Sequence, residues 1–133
     1  MKAVARRKEH ASRRSEGGFT LIELLTVVAI IGVLAVVALQ QVEHYRRSGF
    51  DARALSDLRN AISAEEAYFA TNRTYVTLNA TGPGPAALPG LVLSETVTVD
   101  LAGAAESFSG SSSSRDGTGK VMRYDSTLGW IGQ

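Results

Sequence analysis

The stretch GGFTLIELLTVVAIIGVLAVVAL, residues 17–39, decides the fold of this chain. Between Phe19 and Leu39 it contains one charged side chain, Glu23, and no proline. At about 1.5 Å of rise per residue, a helix over 19–39 would be about 30 Å long, which matches the hydrocarbon core of a bilayer. The sequence therefore predicts a membrane-spanning helix that is apolar on all sides.

Glu23 is unusual at this position because a carboxylate within hydrocarbon is costly. On insertion scales it costs about 2.5–3.5 kcal/mol at the centre of a span, and less near an end. One interpretation is that the side chain reaches back to the interface from its place near the start of the helix. The other is that something outside the chain's own membrane anchor accounts for the carboxylate.

The segment before the span is basic. Residues 1–18 hold six Lys and Arg side chains and two Glu side chains, although the whole chain has a formal net charge of +1. Positive charge next to an apolar run is typical of a cytoplasmic flank. A nucleic-acid-binding arm is the weaker alternative, and no nucleic-acid partner is predicted. The run is longer than that of a secretory signal peptide, and 36–45 lacks an attractive cleavage site, so the span is expected to be retained.

A second helical pattern follows over residues 40–75, which contain no proline. Its apolar residues recur at intervals of mostly three or four or their multiples, and the stripe expected to pack against the head comprises Leu55, Leu58, Ile62 and Phe69. The opposite face is predicted to be polar, with Arg46, Arg47, Asp57, Arg59, Glu65 and Glu66. We predict one helix from about residue 19 to about residue 71. A break at Ser48-Gly49 is the alternative, because glycine weakens a helix by about 1 kcal/mol.

The composition changes after residue 75, where a small head is predicted. All three prolines lie in 79–90, which is expected to be a loop, and β-branched residues alternate in 91–102, which is expected to be a strand. The serine-rich stretch 109–119 is predicted to be a flexible turn, followed by two short strands around Ser126-Thr127. These elements predict an α+β fold in which a long amino-terminal helix packs on an antiparallel sheet of about three or four strands.

The residues offer little for catalysis or for binding a cofactor. Cysteine is absent, which excludes disulfides and thiolate metal sites. His10 and His44 have no partner at ligand spacing, and Glu65 and Glu66 are adjacent and point about 100° apart on a helix. The stretch 116–119 has too few acidic ligands for calcium. We therefore predict a protein that is not an enzyme and that needs no cofactor or metal.

The amino-terminal region resembles the signal of type IV pilins and of the related type II secretion pseudopilins. The resemblance rests on GFTLIELLTVVAIIGVLA (18–35), in which a glycine precedes an aromatic residue and a single glutamate follows four residues later. A less specific resemblance to short pilins continues to residue 76. The resemblance implies a pilin-like fold. It also implies a membrane-embedded prepilin peptidase that cuts between Gly18 and Phe19 and methylates the new amino group of Phe19.

The same resemblance implies roles in subunit assembly for Phe19, Glu23 and Gly32. In the family, the glutamate at the position of Glu23 meets the amino-terminal ammonium of a neighbouring subunit. Gly32 lies where family members often lose helical hydrogen bonds in the fibre. Many relatives also carry a proline at the position of Gln40, and this chain does not. The paired cysteines that close the carboxy-terminal loop of many pilins are missing as well.

The resemblance implies a chain of four parts: a cleaved basic leader at 1–18, a transmembrane and fibre-core helix at 19–39, its amphipathic continuation at 40–75, and a head at 76–133. The implied function is that of a structural subunit that polymerises through its amino-terminal helix into a type IV pilus. Such a subunit resides in the inner membrane as a precursor and then in a cell-surface filament. Its partners would be other copies of itself, the prepilin peptidase, the inner-membrane assembly machinery and the membrane. Motility, adhesion and DNA uptake are not distinguished.

Two alternatives remain open at this point. A minor pilin or a type II secretion pseudopilin would carry the same anchor, although the calcium-holding loop usual in the major pseudopilin has few acidic counterparts in 111–120. A single-pass membrane protein whose head binds a periplasmic ligand would also fit the apolar span. It would keep its leader, and it would not depend on Glu23.

Overall fold

A computed structural model describes residues 17–132 of the chain. The predicted leader, 1–18, lies outside the described residues except for Gly17 and Gly18. The chain forms two compact units, one ending at Val36 and one beginning at Val37, and helix α1 (Leu21–Asn72) contributes to both.

Helix α1 is a single helix of 52 residues. It passes through Ser48 and Gly49 without a break, so the single-helix prediction is confirmed and the two-helix alternative is wrong. The helix ends where Arg73 adopts a left-handed conformation, with φ of 56°, and its N–H donates to the carbonyl oxygen of Phe69 (2.8 Å). A left-handed residue just past the last turn is a common way to close a helix.

An antiparallel sheet makes up most of the head. The strands in chain order are β1 (Leu78–Thr81), β2 (Gly84–Pro85), β3 (Val92–Leu93), β4 (Val97–Gly103), β5 (Phe108–Ser114), β6 (Val121–Asp125) and β7 (Gly129–Gly132). Five of them form one sheet in the order β1-β4-β5-β6-β7, and β2 pairs with β3 separately. The predicted α+β class is confirmed, with one more strand in the sheet than expected.

Two predicted irregular segments are strands instead. The expected loop at 79–90 contains most of β1 and all of β2, and the expected flexible turn at 109–119 belongs to β5 as far as Ser114. Both predictions are wrong over those residues. The predicted strand at 91–102 is divided by a turn into β3 and β4, whereas the two short strands around Ser126-Thr127 are confirmed as β6 and β7.

Close packing against α1 explains why a serine-rich segment forms a strand. A Cβ on Gly110 would lie 2.9 Å from a methyl carbon of Leu101 and 3.1 Å from one of Leu58. Ser112 is buried, and its hydroxyl donates to the carbonyl oxygen of Ala54 (2.7 Å). Strand formation depends on the surroundings more than on intrinsic propensity. Here the small side chains of β5 are what allow the helix to approach.

The core lies between α1 and the sheet. Ala54 and Ala61 of α1 are fully buried in a cluster with Leu78, Leu88, Leu91, Leu93, Val97, Val99 and Leu101. Of the stripe predicted from sequence, Leu58 is fully buried, whereas Leu55, Ile62 and Phe69 are half-buried. The helix face against the sheet is therefore shifted toward its alanines. Alanine side chains let the backbone of α1 lie closer to β5 than a stripe of large side chains would.

Asp57 and Glu65, both predicted on the exposed polar face, are buried instead, so that prediction is wrong. Ser94 donates from its N–H and its hydroxyl to the two carboxylate oxygens of Asp57 (2.7 and 3.1 Å). The N–H of Val76 donates to Glu65 Oε2 (3.0 Å). Buried backbone donors need partners, and both carboxylates supply them to segments that connect the regular elements.

Asp51 holds a third connecting segment in the same way. It is buried, and it accepts a hydrogen bond from the N–H of Thr118 in the β5–β6 loop (3.1 Å). Three carboxylates of α1 thus fasten three segments of the head to the helix. Glu65 is the least satisfied of them, since its Oε1 has no partner within the described chain. Burial raises the pKa of Glu65 above its ordinary value, against the opposing effect of the Val76 hydrogen bond.

Candidate functional site

The bond between Gly18 and Phe19 lies in exposed backbone. Residues 17–20 precede α1 and are all exposed, and the Phe19 side chain is 87% accessible. A Cβ on Gly17 or Gly18 would have no atom of the described chain within 4 Å. Packing therefore does not require glycine at either position. The junction has the accessible, unencumbered backbone that a protease needs.

Thr20 and Glu23 form a capping box at the start of α1. The N–H of Glu23 donates to the Thr20 hydroxyl oxygen (3.2 Å), and the N–H of Thr20 donates to Glu23 Oε2 (3.4 Å). The arrangement gives partners to two backbone donors that the first helical turn leaves free. It also places a carboxylate at the positive end of the helix dipole.

The capping box gives Glu23 a role within its own chain that the sequence interpretation missed. The signal was present, because Thr-x-x-Glu before an apolar run is the capping-box pattern, and residues 20–23 match it. The contacts to the carboxylate are long, at 3.4 and 3.5 Å, so they hold it weakly. The exposed carboxylate can therefore also accept a stronger donor, such as an ammonium group.

The first part of α1 exposes apolar side chains all round. Between Leu21 and Leu39 the accessible fraction of the large apolar side chains runs from 49% at Val27 to 82% at Leu21. The polar atom of Thr26 is satisfied locally, because its hydroxyl donates to the Ile22 carbonyl oxygen (2.8 Å). α1 is long and apolar enough to cross a membrane, and none of its apolar window is buried in the chain itself. Such a surface needs a cover of lipid or protein.

Gly32 lies in the middle of this apolar surface. A Cβ there would meet no atom of the described chain within 4 Å apart from the helix's own backbone, and without a side chain the α1 backbone is uncovered on this flank. In membranes, small residues allow neighbouring helix backbones to approach closely. The structure thus brings Gly18, Phe19 and Glu23 together at the start of α1 and places Gly32 further along the same helix.

Aromatic side chains form a continuous row within the head. Phe69 stacks on Tyr75, with ring centroids 4.5 Å apart, and Tyr75 contacts Phe108 at 4.8 Å. The row continues through Tyr124 to Trp130, at 5.7 and 5.5 Å. Each such contact contributes about 0.5–1.5 kcal/mol beyond area burial. The row is a packing feature that joins the end of α1 to the last two strands.

A family model and several known proteins match the amino-terminal part of this chain. Residues 13–39 match the model described as the prokaryotic N-terminal methylation motif. Over 53 residues, 40% of this chain and 34% of the relative, the chain is 43% identical to a fimbrial protein of Pseudomonas aeruginosa. Over 64 residues, 48% of this chain and 49% of the relative, it is 38% identical to the type IV wide pilus major component PilA4 of Thermus thermophilus.

A third relative extends the pattern to another organism. Over 58 residues, 44% of this chain and 26% of the relative, the chain is 36% identical to the type IV major pilin protein PilA of Myxococcus xanthus. The matched stretches span between about a quarter and a half of the length of these three relatives. Gly18, Phe19, Glu23 and Gly32 all lie within the stretch matched by the methylation motif.

Proposed function

We propose that this chain, which carries the amino-terminal signal of a type IV prepilin, is the precursor of a structural subunit of a type IV pilus. A prepilin peptidase would remove residues 1–18 and methylate the amino group of Phe19. The observation that carries the proposal is an accessible Gly18–Phe19 junction followed at once by a helix with an uncovered apolar surface.

That surface has two suitable covers. Lipid would cover it in the inner membrane, and the same helices of other copies would cover it in the fibre core. Lipid tails are as apolar as leucine, so the hydrophobic effect does not oppose moving the helix from the membrane into the fibre core. Close packing between helices then determines how stable the fibre core is. The open flank at Gly32 is where a neighbouring helix would approach most closely.

Glu23 would select the incoming subunit. Its weakly held carboxylate is exposed at the start of α1, and cleavage creates an ammonium group on Phe19 of every copy. When the two groups pair between neighbouring copies, neither charge is left unpaired in an apolar environment. Within a single copy, each charge would stay unpaired there. The inner-membrane assembly machinery would extract the processed subunit. A minor pilin or a secretion pseudopilin is the alternative, and it differs in how much filament reaches the cell surface.

Two variants at the junction test the proposal. Gly18→Val places a branched side chain directly before the scissile bond, and Gly17→Val is the matched control one residue away. Both Cβ positions are open, so both chains are expected to fold and to insert. We expect the Gly18 variant to retain its leader and to yield no sheared filaments, and the Gly17 variant to be processed.

Filaments built from uncleaved Gly18→Val chains would contradict the proposal. Wild-type chains that keep residues 1–18 would contradict it as well, and would favour a membrane-anchored binding protein. Processed wild-type chains that stay in the membrane would favour a pseudopilin or a minor subunit.

A further inference from the structure

The head has two ends that are well separated along α1. At the lower end the β5–β6 loop, residues 115–120, lies against α1, and Thr118 donates to Asp51 there (3.1 Å). At the upper end α1 stops and the β4–β5 turn lies beside Tyr75, whose N–H donates to the Ala104 carbonyl oxygen (3.2 Å). Between residues 46 and 72 the helix rises by about 39 Å.

Basic side chains outnumber exposed carboxylates at the lower end. The exposed cations there are Arg46, Arg47, Arg53, Arg115 and Lys120. The exposed carboxylates are Glu43, Glu95 and Asp116, and the buried Asp51 adds a fourth carboxylate to set against the five cations. Arg46, Arg47 and Arg115 line an open pocket of about 390 Å³, in which Asp116 lies 3.7 Å from the Arg115 side chain. The lower end is therefore a basic, concave surface on which cations outnumber carboxylates.

Carboxylates predominate at the upper end. Glu66 on the last turns of α1 and Glu106 in the β4–β5 turn are both exposed. Asp125, at the end of β6, accepts hydrogen bonds from the hydroxyl and the N–H of Thr127, which lower its pKa and keep it ionised. Among the described residues, the exposed cation at this end is Arg73, just past α1. The upper end is therefore acidic, opposite in sign to the lower end.

We propose that the basic pocket at the lower end of one head docks the acidic upper end of another copy. This rests on the proposed function, because a fibre built on amino-terminal helices sets all its subunits in one direction. Subunits in one direction meet through unlike surfaces, and such heterologous contacts generate open helical filaments. The two ends of this head differ as such a contact requires, because one is basic and the other acidic. Opposite charges attract an upper end to a lower end, and like charges repel two ends of the same kind.

Reversing the charge at each end separately and then together tests the docking. Arg46→Glu with Arg47→Glu changes the lower end, Glu66→Lys with Glu106→Lys changes the upper end, and the four changes are then combined in one chain. Arg123→Glu, in the middle of β6 between the two ends, is the charge-reversal control. Filament yield is measured against the pool of processed subunit in the membrane, and the near-ultraviolet circular dichroism of each purified chain checks that the head is folded.

Each two-residue reversal should lower the filament yield on the order of tenfold, since one exposed ion pair is worth roughly two- to fivefold and each reversal turns attraction into repulsion. The combined chain should recover most of the yield, and the control should keep it. Filament yield should also fall as salt is raised.

Unchanged yields in both two-residue variants would overturn the docking, and so would a combined chain that fails to recover. A lower-end variant with a smaller processed pool would also overturn it, because that result would indicate contact with anionic lipid headgroups during insertion. All these outcomes require a wild-type chain that is processed and forms filaments. A wild type that does neither defeats the proposed function instead.

Discussion

Replacing Glu23 by glutamine separates its two roles, because glutamine keeps one and loses the other. In the capping box the side chain accepts hydrogen bonds from Thr20, and a glutamine oxygen can accept them too. In assembly the proposed requirement is for a negative charge, which glutamine lacks. Thr20→Ala has the reverse effect, since it removes the hydroxyl that accepts the N–H of Glu23 and leaves the charge.

The two losses differ greatly in size. Capping bonds contribute about 0.5–2 kcal/mol to helix stability. The contacts around the Glu23 carboxylate are long, so this capping box is expected at the low end of that range. A loss of that size would change assembly by about twofold. Removing one partner of a buried ion pair costs about 3–5 kcal/mol, because the other charge is left unpaired. The second loss corresponds to a decrease of about a hundredfold or more.

The assay compares processed subunit in the membrane with subunit in sheared filaments, for wild type, Glu23→Gln, Glu23→Ala and Thr20→Ala. We expect all four to insert, because the apolar surface of α1 is unchanged or slightly increased. Glu23→Gln and Glu23→Ala should both give few filaments, and Thr20→Ala should remain within about threefold of wild type.

Abundant filaments from Glu23→Gln would refute the reasoning, because they would show that the charge is dispensable. A Thr20→Ala chain as defective as Glu23→Gln would refute it differently, by showing that the cap and not the pairing is what assembly needs.

Three further predictions concern the head, and each is measured by unfolding of the full chain in detergent, followed by near-ultraviolet circular dichroism. Leu58→Ala should destabilise it by about 2–5 kcal/mol, and Leu55→Ala by at most about half as much, because only Leu58 is fully buried; equal losses would contradict the assigned core. Glu65 has a folded pKa above its ordinary value of 4.5, so its stabilising effect is complete below pH 4.5 and is lost as pH rises through the folded pKa. Glu65→Gln should remove this dependence of the free energy of unfolding on pH. An unchanged pH dependence in the variant would contradict the effect of burial on Glu65. Gly110→Ala should destabilise by about 1–3 kcal/mol, because the new Cβ would lie too close to methyl carbons of Leu101 on β4 and Leu58 on α1, and a neutral result would show that these side chains can move aside.

The long helix was predictable from sequence because its signals are strong and local. An uninterrupted apolar run indicates a helix long enough to cross a membrane, and the absence of proline lets the helix continue through Gly49 to Asn72. The Gly18–Phe19 junction and Glu23 were found by their resemblance to a known signal. Thr20 was equally predictable, because Thr-x-x-Glu before an apolar run is the capping-box pattern.

The head was less predictable because its structure depends on contacts between distant residues. Ser112 carries little strand preference, and it lies in a strand because β4, β6 and the Ala54 carbonyl oxygen surround it. Asp57 and Glu65 looked like exposed residues, since periodicity assigns charge to the outer face. They are buried because Ser94 and Val76 have backbone donors that need acceptors, which a helical pattern does not reveal.

The mass and the amino-terminal residue of the protein in sheared surface filaments test the central claim most directly. The proposal predicts a chain that begins with methylated Phe19 and lacks residues 1–18, as the main protein of the filaments. A chain that retains Met1 through Gly18, or surface filaments that do not contain this protein at all, would contradict the claim that it is a processed pilin.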